Sequence, residues 1–193
     1  MKNVVFALLV PLALTSIAHA EEASNGLDTT KKATLSAGLF YGMPQGDFKK
    51  TGDQDLVGSS PGFVLSGGYE VMPRLSIMGL LHYYAVSSEL DGVDQSMWDI
   101  GAGARYAYPV SPVLRVFGEA YVQRASYSAK AGGASMDSSG FGGLVGGGVL
   151  YAVKPQIDIG ASLSYSTASL KPDQGDSQSA GWIGLTAFAA YHL

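Results

Sequence analysis

Six ionisable residues share one parity along strand-like segments of this chain: Glu70, Asp99, Arg105, Arg115, Glu119 and Asp158. His82 falls on the same side, with Tyr84, Tyr121, Gln123 and Gln156. Two cations and four anions gathered on one surface could line a narrow, gated pore. They could equally pair with one another and stiffen an interior, which is the favoured reading. Hydrolysis would need a base beside a hydroxyl nucleophile and a third group that orients the base. Only His82 and His192 follow residue 20; His82 precedes Ser87, Ser88 and Glu89, and His192 adjoins the last residue. Neither spacing matches a nucleophile and its base, so no catalytic residue and no cofactor is expected. With no cysteine and 3 histidines, a transition-metal site is not expected either.

The elements that would carry these residues follow from composition and period. Charged residues make up 15% of the chain where about 25% is usual, and glycines number 26. No stretch after residue 20 is long and apolar enough for a transmembrane helix. Eight segments instead alternate with period two, each near the roughly 9 to 11 residues that a tilted membrane strand requires. They are expected at Lys31–Gly42, Gly62–Val71, Leu75–Val86, Met97–Tyr108, Val113–Gln123, Phe141–Val153, Gln156–Ser166 and Gly181–Leu193. Short proline-bearing connections, Met72–Arg74, Pro109–Pro112 and Lys154–Pro155, alternate with longer polar ones at Met43–Pro61, Ser87–Ser96, Arg124–Gly140 and Thr167–Ala180. Proline cannot donate within a ladder and so ends strands.

The parity opposite the charges is apolar on every segment, which marks it as the lipid-facing side. For the sixth segment neither parity is charged; Phe141, Val145, Val149 and Tyr151 are assigned outward to complete the pattern. Aromatic residues then cluster at both ends of that face. Tyr41, Phe63, Tyr83, Trp98, Phe141 and Tyr165 fall at the long-loop end, and Tyr69, Tyr106, Tyr108, Tyr151 and Tyr191 at the short-turn end. Two such girdles suit the two bilayer interfaces. The inward glycines, among them Gly38, Gly68, Gly101, Gly103 and Gly160, are expected to leave room for water, and Gly103→Ser is expected to be mild because a hydroxyl can join the lumen network without meeting lipid. A soluble, lipocalin-like ligand carrier would reverse the faces, but the other parity is too poor in charge to make a good water-facing surface.

Residues 1–20 read as an export address: Lys2, an uncharged and mostly apolar run from Val4 to Ala18, then Ala18-His19-Ala20 as a cleavage site. Cleavage would leave Glu21 first, a short periplasmic tail over residues 21–30, and one barrel domain over 31–193. No cysteine follows the apolar run, so a lipid anchor is excluded. Lys2 is the one charged residue removed, so acids still outnumber bases and no nucleic-acid partner is expected.

The eight alternating segments, the loop asymmetry and the final run GWIGLTAFAAYHL resemble the small outer-membrane barrel superfamily that includes the OmpA transmembrane domain and OmpX. The resemblance implies an all-β fold: an eight-stranded antiparallel up-and-down transmembrane β-barrel in the bacterial outer membrane. It implies outer-membrane lipid and lipopolysaccharide as surroundings, and the barrel-assembly machinery as a partner during biogenesis. Leu185, Ala187, Ala189 and Tyr191 keep the superfamily's terminal alternation, while Leu193 stands where its closing aromatic would be. Some relatives are lipid A-modifying enzymes, but His82 lacks the His-x-Ser spacing of the deacylase type. A monomeric barrel with a structural or surface-binding role through its extracellular loops is the leading expectation, ahead of a narrow pore. In those loops Asp47, Asp53, Asp55, Glu89, Asp91, Asp94, Asp137, Asp173 and Asp176 outnumber Lys49, Lys50, Lys130 and Lys171.

Overall fold

Period-two alternation produces strands throughout the computed structural model, which describes residues 33–45, 50–51, 54–55, 58–86, 93–131, 134–172 and 178–193. The export segment, the tail over 21–30 and Lys31 lie outside the described residues, as do Asp47, Lys49, Asp53, Ser87, Ser88, Glu89, Asp91, Asp173 and Asp176. In chain order the strands are β1 (Ala33–Gln45), β2 (Lys50–Thr51), β3 (Gln54–Asp55), β4 (Ser60–Met72), β5 (Leu75–Val86), β6 (Val93–Pro109), β7 (Leu114–Ala131), β8 (Ala134–Lys154), β9 (Ile157–Pro172) and β10 (Gln178–His192). Eight of them close a barrel in the order β1-β10-β9-β8-β7-β6-β5-β4, while β2 and β3 form a separate small ribbon. All pairings within the barrel are antiparallel. Closure leaves no edge, so the ladder can cross hydrocarbon with its backbone groups paired.

Several strands run further than their patterns indicate. The segment Arg124–Gly140, expected as a loop, is mostly ladder: β7 and β8 stay paired from Leu114↔Tyr151 out to Ala131↔Ala134. Likewise β9 and β10 pair as far as Leu170↔Gln178, inside the expected loop Thr167–Ala180. Beyond the apolar band the outward side of these strands is serine-rich while Ala125, Tyr127, Ala168 and Leu170 turn inward, so the alternation continues with the apolar side exchanged and no longer resembles a lipid-facing strand. At the opposite end the turns are tight. Arg74 takes a left-handed φ of 74° between β4 and β5, a rare conformation for a residue with a Cβ. Its amide donates to Glu70 Oε1 at 3.2 Å, its carbonyl accepts from Ala107 N at 2.8 Å, and its guanidinium lies 5.2 Å from the centre of the Tyr108 ring.

Side chains fill the lumen in three tiers. At the long-hairpin end Phe40, Tyr84, Met97, Tyr127, Leu170 and Trp182 pack together. Val64, Met78, Leu80, Tyr121 and Leu144 occupy the middle, and Phe117, Leu150 and Phe188 the turn end. The inward glycines do not leave the room expected of them. A Cβ at Gly103 would meet the Ala120 carbonyl and lie 2.7 Å from the Tyr121 ring, and one at Gly160 would lie 2.6 Å from the Phe188 ring. Similarly Gly68 is covered by Met78 and Gly38 by Phe188. Gly103 and Gly160 are sockets over which an aromatic ring of the adjacent strand folds and Gly68 one for Met78, while Gly38 lies against the backbone of the neighbouring strand; the aromatic-over-glycine pairs also help hold register.

Candidate functional site

The lumen brings most of the charged residues into three separate groups rather than one network. Towards the long-hairpin end, His82 on β5 and Asp99 on β6 are directly opposed in register. Tyr84 links them: its hydroxyl donates to Asp99 Oδ2 at 2.5 Å and lies 3.0 Å from His82 Nδ1. A phenol has one proton; with that O–H donated to Asp99, His82 Nδ1–H donates to the phenol oxygen. Phe40 packs 5.1 Å from the His82 ring and edge-on to Tyr84, while Trp182 stacks on the other side of Tyr84. Asp99 is 1% exposed and has no cationic partner among the described residues.

Lower in the barrel, Arg105 on β6 and Glu119 on β7 are again directly opposed. The Arg105 Nε and Nη2 groups both donate to Glu119 Oε2, at 2.9 and 2.7 Å, and Tyr121 donates to the same oxygen at 3.1 Å. The guanidinium also lies 4.5 Å above the centre of the Phe117 ring, a contact that suits a cation drawn out of water. At the turn end Arg115 donates to Asp158, which also pairs with His192 Nε2 at 2.6 Å. His192 Nδ1 lies 3.0 Å from Thr34 Oγ1. This chain of contacts runs from β7 through β9 and β10 to β1 and ties the seam where the barrel closes.

Glu70 does not join these groups; it caps the β4–β5 turn at the short-turn lip. Thr34 and His192, absent from the expected lumen set, belong to it. Their inward parity with Phe188 and Ala190 was the available signal. No group of three metal-ligating side chains occurs among the described residues. The hydroxyl within reach of His82 belongs to Tyr84, itself buried beneath Phe40 and Trp182, and nothing there has the form of an exposed nucleophile with its base.

Outside, the apolar parity faces away from the lumen on every barrel strand, with Val122 71% and Phe141 70% exposed. Of the girdle aromatics Tyr41, Phe63, Tyr69, Tyr83, Trp98, Tyr106, Tyr108, Tyr165 and Tyr191 are exposed as well, and Tyr151 is half-buried. An apolar outer wall around a filled interior that holds the paired charges differs from a soluble ligand-carrying barrel, which shows its charges to water and keeps an open cavity. Residues 7–189 match the family described as outer membrane protein beta-barrel domain.

The chain belongs to that family. It is a small, eight-stranded outer-membrane β-barrel, as the sequence resemblance implies. Among solved structures it is similar to Neisserial surface protein A, with 21% identity over 83% of this chain and 97% of that one and a TM-score of 0.67. It is similar to Ail, the attachment invasion locus protein of Yersinia pestis, at 16% identity over 84% and 99%, TM-score 0.58. It is also similar to OprG from Pseudomonas aeruginosa, at 16% identity over 84% and 97%, TM-score 0.50. At these identities the barrels share a fold, and no residue's role passes between them. No curated protein sequence matches the chain significantly.

Proposed function

We propose that this outer-membrane barrel is a closed scaffold that presents its long hairpins at the cell surface, with a structural or surface-binding role and no catalytic chemistry. The filled lumen carries this reading. Three tiers of packed side chains cross it, and its four described cations and acids below the outer tier are spent on each other as Arg105–Glu119 and Arg115–Asp158. An eight-stranded barrel has only enough interior for its own side chains, so this packing disfavours a conducting path. The aromatic ends of the outward wall act as interface girdles, residues 1–20 as a cleaved export address, and outer-membrane lipid and lipopolysaccharide as the surrounding solvent. The outward hairpin of β7 and β8 supplies the surface. Two similar barrels bear names that denote a surface protein and an attachment protein, which favours the same direction here.

Conductance decides between scaffold and pore. The purified barrel in planar bilayers is expected to show no discrete current steps, and regular steps would overturn the closed-lumen reading. Lipid A from cells with and without the protein is expected to have the same acyl pattern. A difference abolished by His82→Ala would establish an enzyme instead.

A further inference from the structure

Arg124 departs from the apolar rule of the outer wall. It shares its parity on β7 with Val116, Gly118, Ala120 and Val122, and it is exposed. Ten residues along β7 separate it from Leu114 at the turn end. At about 3.4 Å per residue and a tilt near 40°, that path rises about 26 Å, roughly the height of the apolar band. Arg124 therefore stands at the outer rim of the band and not in hydrocarbon.

The register places Ile100 on one side of Arg124 and Phe141 on the other, with Ser169 beyond Phe141. One row further out, the same wall presents Trp98, Ser126, Ser139 and Lys171 on successive strands. Neither Arg124 nor Lys171 has an ion-pair partner among the described residues. The outward acids lie further from the membrane: Asp137 opposite Ser128, and Asp94 opposite Lys130. Two strand spacings and two residues of rise put the Arg124 and Lys171 backbones about 12 Å apart. Below Arg124 the wall is indented by a groove of about 340 Å³, bordered by Ala102, Ala120, Val122, Gly143, Val145 and Tyr165. The groove exists because Gly143 carries no side chain and Ala102 and Ala120 only a methyl, between the bulkier Val122, Val145 and Tyr165.

Cations, hydroxyl donors, flanking aromatics and an apolar groove beneath them are complementary to one chemistry. We propose that this wall of β6–β9 docks a phosphorylated, acylated glycolipid of the outer leaflet, one phosphate on Arg124, a second on Lys171, and an acyl chain in the groove. Arg124 offers a planar fork of donors to phosphate oxygens, and the serines between the two cations can donate to the bridging sugar. The site rests on the outer-membrane placement, because only there does an anionic glycolipid meet the long-hairpin end of the barrel.

The test uses the full folded barrel in mixed micelles, captured with fluorescent lipid A in three forms: bisphosphorylated, monophosphorylated and fully dephosphorylated. Capture is expected to fall about fivefold with the first phosphate removed and about thirtyfold with both, near the effect of one and two surface cations. Arg124→Gln with Lys171→Gln should lower capture of the bisphosphorylated form to the level of the dephosphorylated one, while keeping the heat-dependent gel shift of a folded barrel. If that variant does not fold, the three-lipid comparison on the unaltered protein decides alone. Equal capture of all three lipids overturns the site, and so does displacement by equimolar inorganic phosphate, which would make it a free-anion site. An unaltered protein with no heat-dependent shift would instead overturn the outer-membrane reading itself.

Discussion

Asp158 is 1% exposed and takes Arg115 and His192 on a single carboxylate oxygen, so one side chain joins three strands. Removing it leaves a guanidinium drawn towards the lumen without a partner. Asp158→Ala is expected to destabilise the barrel by about 2–3 kcal/mol, below the range for a fully buried pair because Arg115 keeps some access to water. Glu70→Gln, at the exposed lip, should stay within about 0.5 kcal/mol. Urea unfolding from lipid vesicles compares the two, and equal effects would mean that Asp158 does not hold the seam. Parity alone places Asp158, Arg115, Arg105 and Glu119 inside. It does not say which acid meets which base, since that depends on register for Arg105 with Glu119, and on barrel curvature for Arg115 on β7 reaching Asp158 on β9. Tyr84 sits between His82 and Asp99 for the same reason: two opposed residues and a neighbour on the same face converge only once the ladder is in register.

At the scale of the strands, the two faces of β6 give opposite results for small changes. Ala102 is exposed on the outward wall, so Ala102→Arg should cost about 2–4 kcal/mol near the bilayer midplane. Gly103 faces inward against Tyr121 and the Ala120 carbonyl, so Gly103→Ser should cost about 1–3 kcal/mol through overpacking, although a polar hydroxyl alone would suit the lumen. The same unfolding assay measures both, and spin labels at positions 102 and 103 report lipid and lumen exposure independently. A neutral Gly103→Ser would show that both the Ala120 carbonyl and the Tyr121 ring yield easily. The pattern of glycines was legible in the sequence while their purpose was not, because the side chain that fills each socket comes from the neighbouring strand. Strand ends failed for another reason. Ser126, Ser128 and Ser139 carry the outward face of the β7–β8 ladder beyond the apolar band while Ala125 and Tyr127 pack inward, so the period-two pattern persists with its apolar side exchanged and reads as polar loop to a search for a lipid-facing side.

For the molecule as a whole, lipid is a solvent that tolerates apolar side chains and no unpaired backbone, and this double demand made the architecture readable. A chain low in charge, rich in glycine, lacking apolar helices and alternating in eight short stretches has a closed barrel as its remaining way to cross a bilayer. The lateral surface on β6–β9 was harder to see, because Arg124 lies in a stretch that reads as loop until the ladder is traced past Gln123. Closure also has a consequence for the order of the chain. The amide of Leu193 donates to the Ala33 carbonyl at 2.8 Å, so the first and last barrel strands meet end to end at the short-turn lip. In the finished ladder the β1–β10 pairing is one antiparallel interface among eight, and nothing in its geometry requires the chain to begin there. A circular permutant that joins Leu193 to Ala33 through a short Gly/Ser linker, and opens instead between Ser111 and Pro112, should fold into the same barrel in vesicles with the same heat-dependent gel shift. Failure of that permutant would show that the native seam is a privileged starting point for assembly. Success would make the position of the termini a matter of ancestry and secretion, with the ring itself indifferent to where it is cut.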